Sequence, residues 1–344
     1  ADSSEIASAV YDREHYAPSW GQLGVDFCGY LLTPPAPGAP VRDDVVCPDL
    51  LISPGESPTW DRTDKPYLVT TSVEQQEGAG PLTIGPGVEI RMAQAPNDRQ
   101  ILIREHLQVN GTSGAQVRFT SDDGTPRAED WRAMRIIGSA DIHHAIFEYA
   151  KAGLWIVEPA SVTLTGVTTT LNRTGLALGT VDTVWQADGP TTLVATGCSF
   201  SGNDGSGMIV RDMHDHGNTI AINDSSFYDN GDYNLRTTDF DGSTENIVLD
   251  ARDNWWGTDD PVLIGAQIFD RRNDATLPIV DWCRYLDGAP PTGTPVVDAE
   301  CPDLGLLCPA GPDPIVWPYT GKPYLLTSDL RICPSATLQV DAGV

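Results

Sequence analysis

Four short runs decide the fold: GLWIV at residues 153–157, GLAL at 175–178, GMIV at 207–210 and NLRT at 234–237. Each opens on a Gly or Asn and is a short run without a 3.6-residue period, set between Gly, Asn or Asp turns, as a strand is and a helix is not. Their apolar starts, Leu154, Leu176, Met208 and Leu235, stand 22, 32 and 27 residues apart. Such intervals suit one turn of a right-handed parallel β-helix, in which each coil buries a few inward side chains and stacks on the next. An asparagine precedes each later coil at a similar place: Asn172 in TLNRTG, Asn203 in SGNDGSG, Asn230 in YDNGDYN and Asn254 in RDNWWG. Amides stacked at a repeated inward turn can hydrogen-bond along the axis, and Asn tolerates the left-handed geometry such turns need. Phe147, Phe200 and Phe227 fall seven or eight residues before a coil start, which predicts an aromatic stack in the core.

Composition agrees with an all-β chain. Of 344 residues, 33 are Gly and 27 Pro, which favours many short turns over long helices. Apolar residues make up 40%, enough to exclude wholesale disorder. The 48 acidic side chains against 21 basic ones leave a net charge of −27, which repels nucleic acid and anionic lipid. No apolar run approaches the ~18 residues of a membrane span, so neither nucleic acid nor membrane insertion is expected.

The chain also repeats itself. IASAVYD at 6–12 reads against IGAQIFD at 264–270, CPDL at 47–50 against CPDL at 301–304, and KPYLVT at 65–70 against KPYLLT at 322–327, an offset of about 256 residues throughout. This divides the chain into 1–32, the tail of a preceding unit; 33–59, a Pro-rich linker; 60–286, a complete β-helix unit; 287–316, a second Pro-rich linker; and 317–344, the opening strands of a following unit. Val344 aligns with Val88, which is followed by the strand-like Glu89-Ile90-Arg91-Met92, so the chain reads as a window cut from a tandem array. The repeat pairs Cys28 with Cys47 and Cys283 with Cys301. Cys308 and Cys333 occur together in the later copy only, as a bonded pair would. Cys198 is left as a buried free thiol. Three disulfides place the protein outside the cytosol, extracellular or at the cell surface, whereas metal thiolates need a close CxxC spacing that is absent.

With these residues in view, the chain resembles the pectate-lyase-like superfamily of right-handed parallel β-helices. Within it, it is similar to secreted bacterial and archaeal repeat modules that close on Asn-Trp-Trp-Gly-Thr, here Asn254, Trp255, Trp256, Gly257 and Thr258. Their opening motif is matched by Trp60 with Pro66-Tyr67-Leu68-Val69-Thr70. The resemblance implies an architecture and a place in large extracellular or surface proteins. It does not imply an activity, because the fold hosts lyases, hydrolases and structural rods alike.

The densest ionisable group is Arg211-Asp212-Met213-His214-Asp215-His216. In an extended segment Asp212, His214 and His216 share one face. The coil spacings add Asp182 before His214, Asp241 after it and Asp239 after Asp212. Such an acidic ladder suits oxygen ligation of Ca²⁺, or acid-base chemistry on a uronic polysaccharide; an Asp-rich solvated turn gives the same pattern. The arginine pattern of pectate lyases is absent, and no other catalytic motif appears. The reading is therefore a non-enzymatic structural or adhesive module of a filament or surface protein. No cofactor is required, and Ca²⁺ is the one candidate ion. Its partners are neighbouring units end to end. The alternative is a polysaccharide-active or carbohydrate-binding β-helix using the ladder.

Overall fold

A computed structural model describes residues 44–93, 99–179, 189–211, 218–239, 248–296, 300–301, 314–327, 330, 332–334 and 336–343. The chain winds as a right-handed parallel β-helix in which each strand pairs with the strand one coil later. The first sheet has nine strands, from Leu51–Ile52 to Ile268–Phe269, among them Trp131–Ile136, Ala150–Ile156, Thr174–Leu178, Met208–Arg211 and Leu235–Thr238. The second also has nine, from Thr59–Trp60 to Ile279–Asp281, and the third seven, from Tyr67–Val69 to Ser226–Tyr228.

Leu154, Leu176, Met208 and Leu235 lie in register on one inward column of the first sheet, with at most 1% of any of them exposed. Each such burial stabilises by ~1.5–3 kcal/mol, and stacking makes the core continuous.

Unequal coil lengths are absorbed at two of the three corners. Where the second sheet turns into the third, a single residue takes positive φ in coil after coil: His144, Gly166, Gly197, Asp224 and Asp253. Where the third turns into the first, Tyr149, Leu171, Gly202, Asp229 and Gly257 do the same. A one-residue left-handed corner is tight and fixes strand separation, and Asp, Asn and Gly meet its strain most readily. The connection from the first sheet to the second varies in length, from residues 157–160 in one coil to 179–191 in the next, and that from the third to the first varies as well, from 149 alone to 122–130.

The asparagines follow these corners. Asn172, Asn203 and Asn230 stack beside the second set: Asn172 Nδ2 donates to Asn203 Oδ1 (3.2 Å) and Asn203 Nδ2 to Asn230 Oδ1 (3.0 Å). Each also donates to the backbone, Asn172 to Phe147 O, Asn203 to Thr169 O and Asn230 to Phe200 O. Asn254 is not on this ladder, contrary to the sequence reading. It follows Asp253 at the other corner and accepts from the Ser225 amide (2.9 Å), while Ser225 Oγ accepts from the Cys198 amide (3.0 Å). An αL residue followed by Asn reads the same locally at either corner, so sequence alone cannot separate the two. Asn234 takes the last rung, accepting from Asn230 Nδ2 (2.9 Å).

The aromatic stack is broken once. Phe119 stacks on Phe147 (4.5 Å), Phe200 on Phe227 (4.9 Å) and Phe227 on Trp256 (4.8 Å). Thr169 sits between Phe147 and Phe200 in the column, fully buried, its hydroxyl without a hydrogen-bond partner. The Asn-Trp-Trp-Gly-Thr motif therefore extends the third sheet: Trp255 pairs with Ser226, and Trp256 covers the aromatic column. Gly257 has φ 81° with Tyr228 Cβ 2.9 Å from where a Cβ would stand, so no larger residue fits.

IGAQIFD runs from the short helix α1, Pro261–Ala266, into the strand Ile268–Phe269; Asp260 caps α1 by accepting from the Val262 amide, with Pro at its start. Residues 44–59, assigned to the Pro-rich linker, form the first coil: Leu51–Ile52 and Thr59–Trp60 pair into their sheets, and Pro54 and Pro58 fall outside the strands. Proline excludes only the positions it occupies.

Candidate functional site

Asp182, Asp212, His214, His216 and Asp241 lie outside the described residues. Asp239 is exposed with φ 61°, just past the strand Leu235–Thr238. Among the described residues no group of three or more His, Cys, Asp or Glu is placed to hold a metal ion.

Cys283 bonds Cys301, with Cα atoms 5.7 Å apart. Cys47 and Cys333 are also disulfide-bonded; Cys28 and Cys308, their expected partners, lie outside the described residues. Cys198 is free and buried. Burial pushes its thiol up to about 11, against backbone and Ser225 hydrogen bonds that favour the thiolate. Such a thiol is inert.

Two surfaces stand out. The first is the opening coil, which the chain builds twice. In one copy Trp60 pairs with Ile84, Tyr67 bridges Val46, and Trp60 stacks on Tyr67 at 5.2 Å. In the other, Trp317 pairs with Val340, Tyr324 bridges Glu300, and Trp317 stacks on Tyr324 at 4.8 Å. The amides match as well: Val46 N donates to Pro66 O and Glu300 N to Pro323 O, both at 2.8 Å. Val69 and Ile84 are fully buried, whereas their counterparts Leu326 and Val340 are each 49% exposed.

The second is the outer face of the first sheet. There Arg135, Trp155, Ala177, Ile209, Arg236 and Phe269 form one outward column. Arg135 and Arg132 lie 4.9 and 5.4 Å from the centroid of Trp155, and Arg236 lies 5.4 Å from that of Phe269. A groove of ≈ 290 Å³ opens over Trp155, walled by Arg132, Lys151, Thr174 and Arg211.

Comparison with protein-family models, with curated proteins and with solved structures returns no match. The geometry itself carries the functional reading. The sequence analysis missed Arg132, Lys151 and Trp155. Their signal was present: in AKAGLWI and WRAMRI these residues alternate with the inward ones. Using it requires the phase of the strand, which a bulge between Ala133 and Met134 shifts.

Proposed function

We propose that this chain is a structural, adhesive repeat module of an extracellular filament or surface protein, of the pectate-lyase-like kind that closes on Asn-Trp-Trp-Gly-Thr, and that its units associate end to end. The observation that carries the reading is the second opening coil. Its backbone pairing matches the first, yet Val316, Leu326 and Val340 present apolar side chains to solvent. Among the described residues the strand Leu338–Val340 pairs with Ile315–Trp317, whereas Leu82–Ile84 in the first copy pairs on both sides, with Thr59–Trp60 and with His106–Asn110. An apolar strand edge of this kind is covered by strand addition, from the next coil of the same chain or from another copy. The disulfide at Cys283–Cys301 supports an oxidising, extracellular setting.

Sedimentation velocity tests this reading. The protein is expected to associate with rising concentration, and Leu326→Lys with Val340→Lys to abolish association without lowering the melting temperature, since both positions are exposed. A protein that stays monomeric over the whole concentration range, or a double variant that associates as well as the original, would sink the end-to-end reading.

A further inference from the structure

We propose that the groove on the outer face of the first sheet binds a compact multivalent oxyanion, a polycarboxylate or a phosphate, between Arg132, Lys151 and Arg211. The inference is independent of end-to-end association.

The local charge runs against that of the molecule. Acidic residues outnumber basic ones 48 to 21 in the chain, yet three of the described residues walling this groove are cations and none of the described ones is a carboxylate. Elsewhere along the same sheet Arg104 pairs with Glu74 at 3.0 Å and Arg236 with Asp232 at 3.4 Å. Arg132, Lys151 and Arg211 pair with no carboxylate among the described residues. Three unneutralised cations around one concavity repel one another, and a bound anion removes that cost.

A second observation points the same way. Arg211 Nε is shielded from solvent and has no hydrogen-bond acceptor among the described residues. A shielded charged donor without an acceptor costs free energy, and a guanidinium fork is satisfied best by a carboxylate or phosphate, which it meets with two parallel hydrogen bonds.

The floor is rigid. The Trp155 indole N–H donates to Gly179 O at 3.0 Å, fixing the ring, and Arg132 packs over it, which restricts its guanidinium before any ligand arrives. A preorganised cation loses less entropy on binding than a free surface lysine.

Size and long-range field select the ligand. The volume of ≈ 290 Å³ suits a small molecule. A net charge of −27 opposes an extended polyanion along its whole length, whereas a compact ion within a Debye length of the three cations feels mainly the local positive field. Three cations call for more than one negative charge, so a monocarboxylate should bind much more weakly than a tricarboxylate.

Isothermal titration calorimetry at low ionic strength, with citrate and pyrophosphate as separate probes and acetate as the monovalent comparison, tests the site. Saturable one-to-one binding is expected for at least one multivalent probe, and which of the two binds tells a carboxylate ligand from a phosphate one. Arg132→Gln and Arg211→Gln should each weaken binding by about tenfold or more, the equivalent of losing a charged hydrogen bond. Lys151→Gln, at an exposed position, should weaken it several-fold and keeps the test sound if either arginine variant misfolds. Lys322→Gln, exposed on the second opening coil, should leave the affinity unchanged. The Trp155 indole N–H resonance should move on titration. The proposal is overturned if neither probe binds saturably, if Lys322→Gln weakens binding as much as Lys151→Gln, or if a sulfated polymer such as heparin binds where the compact anions do not.

Discussion

Residues 44–93 and 300–343 contain the same opening motif, and their described residues form the same local contacts, but among these only the first set is covered. Trp60 stacks on Tyr67 and is 3% exposed, under a core that continues through the next coil. Trp317 stacks on Tyr324 just as closely, while Leu326 and Val340 stand in solvent. The difference separates two contributions that a single β-helix confounds. Strand pairing and the Trp–Tyr contact come from residues within about thirty positions of each other. Burial of the apolar face comes from the coil above.

The largest expected difference is at the paired tryptophans. Trp60→Ala should cost about 3–5 kcal/mol, the range for emptying a buried aromatic site, and Trp317→Ala about 1 kcal/mol or less. Chemical denaturation followed by circular dichroism measures both. Equal losses would mean that the second copy is buried in solution, and so would break the comparison.

The disulfide joins the covered region to the uncovered one, tying Cys283, just past the last strand of the second sheet, to Cys301, beside the bridge from Glu300 to Tyr324. With a sequence separation of 18, replacing both cysteines by serine should cost about 3 kcal/mol on the chain-entropy estimate. Hydrogen exchange should then accelerate at Leu325 and leave Leu68 as protected as before. If the two copies lose protection together, they unfold as one body.

Cys198 probes the covered region by pH. Its folded pKa of about 11 exceeds the ordinary 9.0, so the folded state holds its proton more tightly. The stabilisation is complete below pH 9 and is lost as pH rises through about 11, an amount on the order of 2 kcal/mol. Cys198→Ala should remove this alkaline step from the stability profile. A profile unchanged by the substitution would show the thiol to be solvated.

The smallest effect is at Thr169, the polar break between two aromatic stacks. Thr169→Val removes a buried hydroxyl that has no partner and keeps the shape, so a gain of about 1 kcal/mol is expected. A matching exchange on the open copy, Val316→Thr, should stay within about 0.5 kcal/mol, as at other exposed positions. A loss at Thr169 would place a bound water on its hydroxyl.

Much of the coil plan was legible. Leu154, Leu176, Met208 and Leu235 fall on one column because a pleated strand fixes which residues face inward, and turn residues mark where each strand begins. The misplacement of Asn254 and the gap in the aromatic column have one cause: each needs the assignment of a corner or a rung to a particular sheet, and local sequence does not label sheets. The acidic ladder was chosen by adding coil spacings across the connection from the first sheet to the second, whose length changes from coil to coil, so counting residues there does not establish vertical neighbours. The cationic groove was missed for the converse reason. Arg132, Lys151 and Arg211 belong to three strands far apart in sequence, and only stacking sets them around one indole.

The sequence by itself determined the coil spacing, the Gly and Asn turns that open the strands, the repeat of the opening motif and the pairing of Cys283 with Cys301, because each depends on side-chain chemistry read over a short span or on likeness between two spans. The tertiary structure alone decided which asparagines share a ladder, where the aromatic column breaks, which copy of the opening coil is covered and where unneutralised cations gather. These depend on the register between successive coils, which is set by the packing of the whole stack and not by any one of its turns.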